Sequence, residues 1–81
     1  LKTTDYFVRQ VLQKRPYLTI ELCASIIANP VKREVQPDGR IRFWGNDPER
    51  EGKYIRVVTE KDGETIHNAF RDRGFKIEDM A

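Results

Sequence analysis

The stretch Val31-Lys32-Arg33-Glu34-Val35-Gln36, then Pro37-Asp38-Gly39, then Arg40-Ile41-Arg42-Phe43-Trp44 decides the fold. Apolar and charged residues alternate on both sides of a turn-forming triplet. A period of two is the signature of strands with two unlike faces, and Pro-Asp-Gly supplies the backbone angles that reverse the chain. A β-hairpin is therefore expected, with strands at about 31–36 and 40–45. Downstream, Gly45-Asn46-Asp47-Pro48-Glu49-Arg50-Glu51-Gly52-Lys53 contains turn formers and charges with no apolar side chain, and it reads as an exposed loop. Tyr54 to Thr59 is β-branched and aromatic, Asp62-Gly63 suits a tight turn, and Thr65 to Phe70 returns. These give two more strands at about 54–60 and 64–70, with residues 71–81 as a tail that adds an edge strand or frays.

Upstream of the hairpin the period changes to that of a helix. Thr3 and Thr4 precede Asp5, a composition that caps the exposed N–H groups at a helix start, and Phe7, Val8, Val11 and Leu12 recur at helical spacing. Pro16 forbids continuation, so the first helix is expected at about 4–14. Thr19 is a second cap candidate, before the stripe Ile20, Leu22, Cys23, Ile26 and Ile27, and Asn29-Pro30 closes a helix at about 20–28. The expected class is α+β: two N-terminal helices packed on one face of an antiparallel meander of about four strands. At 81 residues, 38% of them apolar, the chain forms one core and one domain, 1–81.

The side chains sort by strand alternation. The face under the helices is expected to carry Ile41, Phe43, Ile55, Val57, Ile66 and Phe70; the other would carry Arg42, Trp44, Tyr54, Arg56 and His67. Guanidinium groups neutralise phosphate, aromatic rings stack on unpaired bases, and an imidazole moves a proton near neutral pH, so this second set has the chemistry of an RNA site. The same five residues also suit an ordinary solvated sheet face on which arginine stems cover rings. Arg71-Asp72-Arg73, just after the last strand, is either a phosphate contact or a solvated charge cluster.

Other chemistries find little here. One cysteine and one histidine do not make a zinc site of Cys and His ligands, no glycine-rich phosphate loop is present, and neither a metal nor a cofactor is expected. A Cys23–His67 nucleophile pair satisfies the count, yet Cys23 falls within an apolar helical stripe where a thiol is ordinarily inert. A single cysteine excludes an internal disulfide and points to a reducing cytoplasm. No apolar run approaches the roughly 20 residues that span a bilayer, and Leu1-Lys2-Thr3-Thr4-Asp5-Tyr6-Phe7 lacks a signal-peptide profile. No membrane partner is expected. The net charge of +2 is too small to indicate nucleic acid, but residues 1–45 carry eight Lys/Arg against four Asp/Glu, which allows a polarised surface.

Ala28-Asn29-Pro30 after the second helix, the Asp38-Gly39 turn, the strand Tyr54-Ile55-Arg56-Val57-Val58 and the strand Thr65-Ile66-His67-Asn68-Ala69-Phe70 together resemble a known group. They are similar to small domains related to BrnT- and RelE-type toxins, in the barnase/RelE-like ribonuclease superfamily. The similarity covers roughly residues 5–75. The resemblance implies a cytoplasmic toxin of a toxin–antitoxin pair that acts on RNA as a metal-independent endoribonuclease and is silenced by a cognate antitoxin protein. It carries a basic role onto Arg56, and onto Arg71 or Arg73; His67 enters from the residue chemistry instead. The expected catalytic set is thus Arg56, His67, Arg71 and Arg73, with Arg42, Trp44 and Tyr54 holding RNA. The alternative is a non-catalytic RNA- or protein-binding module that uses the same sheet face.

Overall fold

A computed structural model describes residues 1–76. Strand β1 is Lys2–Thr3. The first helix follows over residues 5–14 and the second over Ile20–Ala28. Strands β2 (Lys32–Val35), β3 (Ile41–Asn46), β4 (Tyr54–Thr59) and β5 (Thr65–Asp72) complete an α+β domain.

Local chemistry explains the helix ends. The Phe7 N–H donates to Thr4 Oγ1 at 3.1 Å and the Leu22 N–H to Thr19 Oγ1 at 3.0 Å, so each helix begins under a threonine hydroxyl. The first helix is wound as a π-helix over Phe7–Val11, where the Leu12 N–H reaches back to Phe7 O. In this wider turn Phe7 and Val11 stay buried while Val8, expected in the apolar stripe, is turned out to 40% exposure. Asn29 and Pro30 end the second helix.

The sheet has five strands in the order β1-β5-β4-β3-β2 and is mixed, which corrects the expectation of a purely antiparallel four-stranded meander. β2, β3, β4 and β5 are successively antiparallel, but β1 runs parallel to β5, with Lys2 opposite Thr65 and Thr3 opposite Ile66. Two residues are too few to show a period, and a parallel partner lies far along the chain, so no local pattern announces this strand.

Phe7, Val11, Leu18, Cys23 and Ile26 share one core with Ile41, Phe43, Ile55, Val57, Ile66 and Ala69. Gly45, opposite Ile55, lets Ile26 lie against the backbone: a Cβ there would stand 2.6 Å from Ile26 Cγ1. Phe70 is absent from this core, contrary to expectation. Val58 pairs with Asn68 but Thr59 pairs with Ile66, so His67 is the extra residue of a β-bulge. One inserted residue reverses the alternation that follows, so that Ala69 takes the core side and Asn68, Phe70 and Asp72 the other.

The segment read as an exposed loop also departs from expectation at its start. Gly45 and Asn46 belong to β3, and Asp47 is 5% exposed because it is the anchor for an arginine from β5. Likewise Arg71 and Asp72 extend β5 into what was read as tail, of which residues 77–81 lie outside the described residues.

Candidate nucleic-acid interface

Four side chains form a straight row across the second face of the sheet. Lys32 is opposite Trp44, Trp44 opposite Arg56, and Arg56 opposite Phe70 on four adjacent strands, so cation and ring alternate. The Lys32 ammonium is 5.6 Å from the Trp44 ring centroid, and the Arg56 guanidinium is 5.3 Å from Trp44 and 4.9 Å from Phe70. Each contact pairs a positive charge with the negative face of a ring. The row therefore exists because strand register, fixed by the core on the opposite face, sets these positions side by side.

Asp72, one position beyond Arg71 on β5, locks the row. Its Oδ2 accepts from Trp44 Nε1 at 2.9 Å, Arg56 Nη2 at 2.8 Å and Arg56 Nε at 3.1 Å. Partial burial pushes the Asp72 carboxyl up, but the hydrogen bonds from Trp44 and Arg56 and the Arg56 charge outweigh it and hold it below the ordinary carboxylate value. In the neighbouring row Arg42 Nη1 donates to Glu34 Oε1 at 2.8 Å, and Arg42 Nε, though buried, has no hydrogen-bond partner. Arg42 thus carries one hydrogen bond, to Glu34, where Arg56 carries two to Asp72.

Trp44 and Tyr54 were expected to be exposed platforms. They are 4% and 9% exposed, because the chain turns back after Asp72 and lays Phe75 over them. Phe75 stacks on Trp44 at 5.1 Å with rings 17° apart and meets Tyr54 edge-on at 5.0 Å. The exposed aromatic interface that sequence suggested is thus a small second core.

The residues expected to be catalytic are not gathered. Arg56 is on the row, whereas Arg71 pairs with Ile55 and faces the other side of the sheet. There its Nε donates to Asp47 Oδ2 at 2.7 Å and its Nη2 to Glu49 Oε1 at 2.9 Å, with the guanidinium 4.0 Å from the Tyr17 ring. Arg73 lies in the exposed turn after β5. His67, in the bulge, is met by Thr4, whose Oγ1 is 3.1 Å from Nδ1, and by the Tyr6 ring stacked at 5.0 Å. It is three residues from Phe70, on the order of 10 Å along an extended strand. Cys23 is wholly buried and its thiol is pushed up to about 12 by that burial, so no thiolate is available to pair with His67.

Lys32, Phe70, Asp72 and Phe75 escaped the sequence reading. Phe70 was lost to the bulge, which has no sequence signature here. Asp72 was masked by its arginine neighbours, and Phe75 is an isolated apolar residue after Gly74 whose isolation was the one available signal. A cleft of about 440 Å³ lies elsewhere, lined by Asp38, Arg40, Glu60, Lys61 and Asp62 at the paired hairpin turns. Its carboxylates are engaged: Asp38 and Asp62 accept turn N–H groups and Glu60 accepts from Arg40. Among the described residues no helix is long and apolar enough to cross a membrane.

No family model, no curated protein and no solved structure matches this chain.

Proposed function

We propose that the chain is a non-catalytic module that holds single-stranded RNA against the second face of its sheet. The observation that carries this reading is the row Lys32–Trp44–Arg56–Phe70, with Arg42 beside it. Interleaved rings and cations suit the two halves of a nucleotide, since half-buried Phe70 offers a base a surface and the partly exposed Arg42 guanidinium offers phosphate a positive charge. Binding is favoured over cutting because cleavage through the 2′-hydroxyl needs a base, an acid and positive charge around one phosphate. Arg71 is committed to Asp47 and Glu49 on the far side, and His67 to Thr4 and Tyr6.

Fluorescence anisotropy with a labelled single-stranded RNA of about 12 nucleotides tests this. Binding should weaken as salt rises, and Arg42→Ala should weaken it further and flatten the salt dependence by roughly one counterion. The RNA should be recovered intact. Absence of binding at about 50 mM salt would sink the proposal. Shortened RNA would restore the toxin-like endoribonuclease, and relief of growth arrest by a neighbouring antitoxin gene would strengthen that rival.

A further inference from the structure

We propose that Tyr6 is a second base-stacking platform of the RNA site, mounted on His67 at the bulge of β5. The proposal rests on the RNA-binding reading and extends its site across β5 to the start of the first helix. Beside the row that ends on Phe70 lies another: Glu34 is opposite Arg42, Arg42 opposite Val58, and Val58 opposite Asn68. Between Asn68 and Ile66 the bulge inserts His67, and the Tyr6 ring stacks on the His67 ring at 5.0 Å, 30° from parallel. The Thr4 N–H is bonded to Ile66 O, which brings the chain against β5 just before Tyr6, so the ring stands at the β1 end of this second row. Bulges re-aim a side chain out of the regular alternation, and here the re-aimed imidazole carries a tyrosine.

The ring is held on one side and open on the other. Tyr6 is 48% exposed, belongs to neither apolar cluster, and its hydroxyl has no hydrogen-bond partner among the described residues. One face of the ring is spent on His67, whose Nδ1 is 3.1 Å from Thr4 Oγ1, and Thr4 in turn caps the helix that carries Tyr6. The platform is thus fixed before a ligand arrives, which lowers the ordering cost of binding. A base suits the open face because a polar donor stands beside it. Asn68 spends its Oδ1 on the Ala69 N–H and leaves its Nδ2 without a partner among the described residues, and base edges supply acceptors for such a donor. From Asn68, Phe70 is about 7 Å along the strand and Arg42 about 10 Å across the sheet, so one strand of RNA reaches both rings and the charge together.

The probe is the same labelled RNA of about 12 nucleotides, with an abasic strand of equal length beside it. Tyr6→Ala and Tyr6→Leu should bind the RNA about tenfold more weakly than wild type, and Tyr6→Phe within about twofold of it, because the ring is what stacks. All three should keep the salt dependence of wild type, unlike Arg42→Ala, since no charge is removed. On the abasic strand wild type and Tyr6→Ala should bind alike, a result that a merely structural role for Tyr6 would not give. Tyr6→Leu still covers His67 and carries the test if circular dichroism shows the alanine variant unfolded. Alanine or leucine variants that are folded and bind RNA like wild type, or lose the same factor on both strands, overturn the platform and leave the RNA reading standing. Self-association of the RNA-free protein that Tyr6→Ala abolishes also overturns it, since the ring then belongs to an interface between copies. Binding by none of the folded proteins overturns both.

Discussion

At the scale of single residues, Asp72 carries the most. It is one carboxylate shared by a tryptophan, an arginine and a turn, and its folded-state pKa lies below the ordinary value near 3.9. A depressed carboxylate contributes stability that is fully present above the unfolded pKa and is lost as pH falls through the folded one. Asp62 adds to the acid loss: hydrogen bonds from the Thr65 side chain and backbone, and from Glu64, bring it down to about 2. Thermal melts should therefore hold steady from neutrality to about pH 5 and fall below pH 4. Asp72→Asn should cost about 2 kcal/mol at pH 7, by removing the charge that Arg56 is paired with, and its melting temperature should depend less on acid. Identical acid profiles for the two proteins would contradict this role. The carboxylate was hard to see in the sequence because Arg71-Asp72-Arg73 has the look of solvated charge. Strand alternation sends Arg71 and Asp72 to opposite faces, and only the paired strands say which partners await them.

At the scale of elements, the fit between the second helix and β3 depends on a missing side chain. Gly45 has Ile26 against it, and Ile26 is itself buried at 4% exposure. Gly45→Ala should destabilise the protein by about 1–3 kcal/mol despite the better strand propensity of alanine, lowering the melting temperature by roughly 4–8 °C for each kcal/mol. The double variant Ile26→Ala/Gly45→Ala should lose less than the sum of its parts, because the clash is between those two residues. Additive losses, or a Gly45→Ala chain as stable as wild type, would refute the contact. The amphipathic periods of the helices and of β3 and β4 were legible, since burial on one side imposes them directly. The phase of β5 was not, because the bulge at His67 breaks the counting on which strand faces are read. Arg42, Trp44, Tyr54 and Arg56 were correctly grouped by alternation, but Phe75, which covers two of them, arrives from beyond the strand where alternation says nothing.

At the scale of the molecule, the parallel pairing of β1 with β5 decides the order of assembly. Thr4 and His67, in contact in the fold, are 63 residues apart in the chain, whereas β2 through β5 are joined to their neighbours by short turns. The entropy of closing a loop grows with its length, so the four antiparallel strands can find one another while the N-terminal segment is still searching. β1 contributes two residues of pairing, and the Thr4 N–H bond to Ile66 O at 2.9 Å extends it. Native-state hydrogen exchange should find the Thr4 amide opening at lower free energy than the amides shared by β3 and β4; uniform protection would argue for a single cooperative unit. The bulged histidine, clasped by Thr4 and Tyr6, then acquires a temporal meaning: its contacts are the fastening made last, when the beginning of the chain closes over the strand that the end of the chain has laid down.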